Sequence, residues 1–365
     1  MDFNYFLPTK IISGRNCLVN NGKVFDSFGK RALIVTGGSS AAKSGALIDC
    51  ISVLENSGIQ YITFSEIEPN PTTVSCLKAG KIARSFEADF VIGIGGGSVL
   101  DSAKAIALFA CCETDDHLSL YSRKIPSPHL PVVLIGTTAG TGSEVTGVSV
   151  LTNPETGRKK SISGADCYAD VSFCDYGYTC SVPENVTVST ALDAFCHAVE
   201  AYLASSCNQM TALFSEKAIR LLSKYILSEC KLELNDELRN ILYTASIYAG
   251  LAINNAGTDF PHTVGYYLTE NYGVSHGNAC AVFMPVLLER AEKYCPEKLE
   301  AVLDFMKTDT VTLGKAVKRA SSVDIKISLD EAEKAAARWS AGVKNFDRSP
   351  GGFTCEDAVA ALTSI

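Results

Sequence analysis

The chain has 365 residues, 47% of them hydrophobic, and a formal net charge of −8. That length and apolar content supply two ordinary domains with a core each, while the acidic balance, with no cluster of Lys and Arg to offset it, argues against nucleic acid as a partner. The longest apolar stretches are broken by Gly, Asp or Lys well short of the roughly 20 residues a spanning helix needs, so no membrane partner is expected. The opening MDFNYFLPTK puts an acid and a proline where a signal peptide needs a basic start and an unbroken apolar run, which predicts a cytoplasmic protein. The 14 cysteines include no C-x-x-C pair and are expected to be free thiols, mostly small buried hydrophobes.

In chain order, RALIVTG from Arg31 reads as a strand, followed by a helix-like stretch toward Gly58 and strand-like QYITF from Gln60. A helix-like stretch from Thr72 leads to strand-like ADFVIGIGGG ending at Gly97, helix-like DSAKAIALFA from Asp101 and strand-like LPVVLIGTT from Leu130. Strands alternating with helices predict a parallel sheet covered on both faces. After about Pro183 the texture changes. ENVTVSTALDAFCHAVEAYLASS, TALFSEKAIRLLSKYIL, ELRNILYTASIYAGLAINNA, SLDEAEKAAARWSAGV and TCEDAVAALTSI carry apolar residues at three- and four-residue spacing, the pattern of helices. The expected division is an α/β domain over 1–180 and a helical domain over 181–365.

Two loops carry a signal for phosphate. FVIGIGGGS runs straight into a helix, so the amides of Gly95, Gly96, Gly97 and Ser98 fall at a helix N-terminus, which favours an anion, with Asp101 and Lys104 following. The run is not G-x-G-x-x-G, because Ser98 stands where the third glycine belongs, and a tight turn without a ligand would use the same residues. The second loop, TTAGTGSE, sets Thr137, Thr138 and Thr141 after a strand, where hydroxyls suit phosphate and ribose oxygens.

Only five histidines are present: His117, His129, His197, His262 and His276. Asp193 and His197 lie four apart in ALDAFCHAVEAY and project from one helix face, an arrangement that also suits a hydrogen-bonded or solvated pair. His262 and His276 flank the segment PHTVGYYLTENYGVSHGNA, so an imidazole from each end is able to meet that pair. One carboxylate and three imidazoles suit Zn²⁺ or Fe²⁺ and do not choose between them. His117 and His129 read as surface residues.

Taken in order, FNYFLPTKIISG, Asn70-Pro71 in EPNPT, GGGSVLDSAKAIAL, TTAGTGSEVTGVSVLTN, LDAFCHAVEAY and HTVGYYLTENYGVSHGNACAVFMP resemble the iron-containing, or group III, alcohol dehydrogenases over nearly the whole chain. The resemblance implies a dehydroquinate synthase-like fold, an α/β nucleotide-binding domain followed by a helical one, with cofactor and metal in the cleft between them. It puts the metal ligands at Asp193, His197, His262 and His276, the pyrophosphate loop at Gly95 to Ser98, and the second nucleotide loop at Thr137, Thr138 and Thr141. Lys160 matches a lysine near the nicotinamide side, and Asn70 and Asp101 join the cofactor set. The implied activity is interconversion of a small alcohol with its aldehyde or ketone, by an enzyme that is a homo-oligomer.

Two positions depart from the family pattern. Many members carry a histidine four residues after the third ligand; here Tyr266 shares that catalytic position with His262, and a phenol of pKa near 10 relays protons poorly at neutral pH. After the first nucleotide strand, NAD-preferring relatives often place an acid, whereas this chain has Gly37-Gly38-Ser39-Ser40 with Lys43 nearby. Gly37, Ser39 and Ser40 with that cation accommodate a 2′-phosphate, which favours NADP(H) over NAD(H) and operation as a reductase. The rival expectations are a glycerol, hydroxy-acid or phosphonate dehydrogenase of the same superfold, or a nucleotide-binding protein that has lost catalysis, motivated by Tyr266.

Overall fold

The apolar runs of the first half are strands, buried on both faces at the centre of the sheet, as their lack of polar alternation requires, and partly exposed at its two edges. In the computed structural model, which describes residues 3–123 and 127–365, they are β1 (Lys10–Ser13), β2 (Arg31–Gly37), β3 (Gln60–Ile67), β4 (Phe90–Gly95), β5 (Val132–Gly136) and β8 (Val171–Cys174), with β6 (Val148–Thr152) and β7 (Lys159–Ser163) forming a separate antiparallel hairpin. Asp2, part of the leader reading, lies outside the described residues. The six-stranded sheet runs β1-β8-β5-β4-β2-β3 and is parallel throughout. Successive residues serve opposite cores: Leu33 and Val35 join Val91 and Leu134 beneath the helices Thr73–Ser85 and Gly97–Ala110, while Ala32 and Ile34 join Ile92, Ile135 and Phe173 against Phe25 and Leu54.

From β2 the chain moves outward to β3, then returns to β4 on the other side of β2. The direction of winding therefore reverses between β2 and β4, and the loops leaving their carboxyl ends diverge there, the place where open parallel sheets receive ligands. Strands β1 and β8 and the β6–β7 hairpin were not among the predicted elements. β1 and β8 have four residues each, too few for a periodic signal, and β6 and β7 alternate weakly along a half-exposed ribbon.

The two units divide at Pro183/Glu184, but not by one cut: Leu234–Tyr243 belongs with Leu7–Pro183, and the N-terminal stretch through Phe6 belongs with Glu184–Glu233 and Thr244–Ile365. The expected 1–180 and 181–365 division is corrected accordingly. Local bonds explain both exchanges. Arg239 donates to the carbonyls of Thr179 (2.6 Å) and Val182 (3.0 Å), whereas Tyr5 donates to Leu251 O (2.7 Å) and Asn254 to Phe6 O (2.9 Å). The second unit is helical, led by Glu184–Leu203, Gln209–Leu227, Phe260–Tyr272 and His276–Ala281. Among the described residues no helix is long and apolar enough to cross a membrane.

Lys104 and Asp101, one helical turn apart, form a buried knot rather than a pair facing a ligand. Lys104, 1% exposed, donates from Nζ to Ser143 O (2.7 Å), Ser143 Oγ (2.8 Å), Thr146 O (3.0 Å) and Val148 O (2.7 Å). Asp101 accepts from Ser143 Oγ (2.5 Å) and Val150 N (2.8 Å) and lies 3.6 Å from the ammonium. Burial pushes the Lys104 pKa below its ordinary value and that of Asp101 above it, each opposed by the other's charge. Replacing Lys104 with Met strips one partner from this pair and should lower the unfolding free energy by roughly 3–5 kcal/mol; urea denaturation measures it, and a change below about 1 kcal/mol would remove the ion pair from the account.

Candidate functional site

In the α/β unit, glycine is required at the end of β4 by crowding rather than by unusual dihedrals. A Cβ at Gly97 would lie 2.6 Å from Thr141 Cγ2, one at Gly96 3.0 Å from Thr138 Oγ1, and one at Gly95 2.7 Å from Val99. The two loops expected to hold phosphate and ribose are thus packed against each other. The helix Gly97–Ala110 begins at Gly96 with no side-chain cap, leaving first-turn amides for an anion. Thr137 is buried at the end of β5 and its Oγ1 has no hydrogen-bond partner. Gly142, at φ 60°, turns the loop into Ser143, which the Asp101–Lys104 knot grips. With both its oxygens so engaged, Asp101 acts on this site by holding the loop that carries Thr141.

Gly37 closes β2, where a Cβ would sit 2.8 Å from Ile67 O. Gly38, Ser39, Ser40 and Lys43 follow it exposed, with no acid between Gly37 and Gly45. Asn70, exposed and left-handed at φ 58°, precedes Pro71 and the capped start of the helix Thr73–Ser85. Lys160, on β7, rests its Nζ 4.5 Å from the Tyr121 ring centre. Of the other histidines, His117 is half-buried and bonded through Nδ1 to Thr73 Oγ1 (2.7 Å), more engaged than a surface residue, and His129 is exposed.

In the helical unit, Asp193, His197, His262 and His276 converge. Asp193 Oδ1 lies 3.8 Å from His197 Nε2, 3.4 Å from His262 Nε2 and 3.7 Å from His276 Nε2. An ion about 2.0–2.2 Å from each donor separates tetrahedral ligands by roughly 3.3–3.6 Å, so this spacing suits one. The His197 and His262 rings stack at 4.4 Å. Asp193 Oδ1 and His262 Nε2 are buried with no hydrogen-bond partner, a cost that a bound cation removes. Burial alone would raise the Asp193 pKa, but His197, His276 and His262 hold its carboxyl well below the usual range. For His262, burial works against charge, and Cys280, Glu200 and Asp193 outweigh it, raising its pKa well above the ordinary value. Negative charge gathered on this centre favours a cation at Nε2.

Close packing brings the donors together. A Cβ on Gly277 would collide with the carbonyl of Ser189, and one on Gly265 would lie 2.8 Å from Ala279 O; glycine lets the helix His276–Ala281 lie on its neighbours backbone to backbone. Gly273, at φ 67°, ends the helix Phe260–Tyr272 with its N–H on Leu268 O and turns the chain toward His276. Tyr266 stacks on His276 with ring centres 5.2 Å apart.

Sequence reasoning missed three residues at or beside this centre. Glu200, fully buried, takes His262 Nδ1 at 2.7 Å on Oε1 and accepts from Asp259 N at 2.8 Å on Oε2. This fixes the imidazole with Nε2 toward the other donors, the outer-shell arrangement of metal-binding histidines. Asp259 is buried beside it with both carboxyl oxygens unpartnered, and burial followed by the Glu200 charge pushes its pKa well above the ordinary value. The signal for Glu200 was present: it lies seven residues after Asp193 on the helix Glu184–Leu203, on the same face. Cys280 likewise lies four after His276; burial pushes its thiol up to about 11, with His262 pulling the other way.

With this geometry in hand, comparison with known proteins is specific. Residues 8–176 match the family described as iron-containing alcohol dehydrogenase, and residues 187–330 match the C-terminal domain of the Fe-containing alcohol dehydrogenase family. The chain is 32% identical over 332 residues to a 1,3-propanediol dehydrogenase of Citrobacter freundii, covering 90% of this chain and 86% of that protein. It is 32% identical to NADH-dependent butanol dehydrogenase B of Clostridium acetobutylicum, covering 79% and 75%. The crystal structure of an iron-containing alcohol dehydrogenase from Thermotoga maritima superposes with a TM-score of 0.91 at 34% identity, covering 100% of both chains.

If Glu200 orients His262 as described, Glu200→Ala should weaken binding of Zn²⁺ to the metal-free protein by about 10–100-fold, and Glu200→Gln, which keeps an acceptor for Nδ1–H, by less. Competition against a chelating indicator measures both; equal affinities in all three proteins would leave Glu200 without this role.

Proposed function

The chain belongs to the iron-containing alcohol dehydrogenase family, and on that premise we propose that it is a metal-dependent, NAD(P)-linked oxidoreductase interconverting a small alcohol and its aldehyde or ketone. The observation that carries the reading is that Nε2 of His197, His262 and His276 all lie 3.4 to 3.8 Å from Oδ1 of buried Asp193. A divalent ion bound there supplies Lewis acidity toward an alcohol or carbonyl oxygen, and the nicotinamide supplies hydride chemistry. We assign Fe²⁺ or Zn²⁺ to the centre, since the donor set serves either and the family description favours iron.

The chain's own residues hold the reactants. Glu200 presents His262 in one tautomer, and buried Asp193 stays anionic. We assign the pyrophosphate to the amides from Gly95 to Ser98, with Thr137, Thr138 and Thr141 lining it and Asn70 and Lys160 at its edges. Tyr266, whose ring is packed on His276, borders the reacting position and offers a phenolic O–H as a hydrogen-bond partner, poorly suited to carry a proton by ionising near pH 7. We place the enzyme in the reducing cytosol, which suits 14 unpaired thiols.

We further propose NADP(H) as the preferred cofactor and reduction as the working direction. The support is electrostatic: the residues leaving β2 are neutral and exposed, Lys43 is the charge nearest them in sequence, and no acid falls between Gly37 and Gly45 to repel a 2′-phosphate. A relative is named for NADH, so membership of the family does not fix the cofactor, and we assign the choice in this chain to that short loop.

Metal-reconstituted protein, assayed with NADPH and NADH across a panel of short aldehydes and with glycerol in the oxidative direction, should reduce aldehydes faster with NADPH. His262→Ala should lose metal retention and turnover together; full turnover by that variant after metal removal would end the proposal. Ser39→Asp should shift the NADPH-to-NADH ratio of kcat/KM toward NADH by about tenfold or more, as about 1.4 kcal/mol of added repulsion requires; an unchanged ratio would remove the loop from cofactor choice.

A further inference from the structure

A thiol stands among the metal donors. Cys280 follows His276 by one helical turn on His276–Ala281, repeating with His and Cys the four-residue spacing that Asp193 and His197 use on another helix. Its Sγ lies 3.7 Å from His276 Nδ1 and 3.9 Å from His276 Nε2. One donor atom each of Asp193, His262, His276 and Cys280 all lie within 4.8 Å of one another. Cys280 is fully buried, and the group it joins contains Asp193 Oδ1 and His262 Nε2, themselves buried and without hydrogen-bond partners. A thiol serving only as a small hydrophobe belongs among apolar neighbours; here it borders a carboxylate and imidazoles.

We propose that Cys280 is an additional protein ligand of the ion held by Asp193, His197, His262 and His276, an inference that rests on the metal reading above. Coordination replaces the S–H bond with a sulfur–metal bond, and the proton leaves to solvent. The sulfur adds a soft donor to a set of imidazoles and a carboxylate, so this chain retains zinc and cobalt against iron more strongly than the four nitrogen and oxygen donors would alone.

Cobalt reports the two claims separately. The full-length protein is stripped with a chelator and loaded with Co²⁺. Visible ligand-field bands then show the ion in a low-symmetry protein site, and a near-ultraviolet thiolate-to-cobalt charge-transfer band shows sulfur bound to it. Wild type should give both; Cys280→Ser should keep the visible bands and lose the near-ultraviolet band, while Cys196→Ser, altering the buried thiol beside His197, should keep both. Visible bands without charge transfer in the wild type would overturn the sulfur ligand and leave the metal reading standing, as would a charge-transfer band that survives in Cys280→Ser. The absence of visible bands from the wild type would overturn the metal reading and this inference with it. A wild-type spectrum without the charge-transfer band overturns the sulfur ligand without any variant, and Cys280→Ala makes the assignment if Cys280→Ser does not fold.

Discussion

The clustering of Asp193 with its histidines depends on two helix backbones touching. Asp193 and His276 come within 3.7 Å only because Gly277 lets the helix His276–Ala281 settle onto the carbonyl of Ser189, one turn before Asp193. Any side chain at 277 would force the helices apart, and a separation set by a Cβ would carry His276 out of reach of a shared ion. The tolerance of metal coordination is a few tenths of an ångström, much less than the width of a methyl group, so a backbone packing contact beside the donors governs whether they share a centre. Gly265 performs the same service against Ala279 O for the helix bearing His262.

Charge is arranged around that packing. Three carboxyl groups are buried at or beside the donors, and their surroundings differ: against burial, the imidazoles hold the Asp193 carboxyl well below the usual range, Glu200 engages His262, and burial followed by the Glu200 charge raises the Asp259 pKa. Lys298 and Arg348 oppose that rise. The backbone N–H of Asp259 ties the start of the helix Phe260–Tyr272 to Glu200.

Much of this was legible in the sequence, for identifiable reasons. Arg31–Gly37 and Phe90–Gly95 announce themselves because both faces are buried, giving unbroken apolar runs. The Asp193/His197 spacing marks one helix face, and GGGS before an apolar helix marks a strand-to-helix turn. The division at Pro183 was visible as a change of periodicity, but the exchange of Leu234–Tyr243 was not, because Arg239 joins the α/β unit through backbone carbonyls that leave no trace in side-chain pattern. The sequence shows Lys104 only as following the glycine loop on a helix, whereas its burial against Ser143, Thr146 and Val148 depends on how a later loop folds back. Glu200 and Cys280 were overlooked because attention stopped at the histidines; each continues a helical stripe that already bore a donor.

The Lys104 knot has a consequence for recognition. By tying Ser143, Thr146, Val148 and Val150 to one helix, it makes the threonine loop stiff before any guest arrives. A stiff loop forfeits little freedom on meeting a nucleotide, so a larger share of each contact's strength is available for holding it. The same rigidity limits adaptation: a dinucleotide whose phosphates sit differently would find a surface unable to follow it.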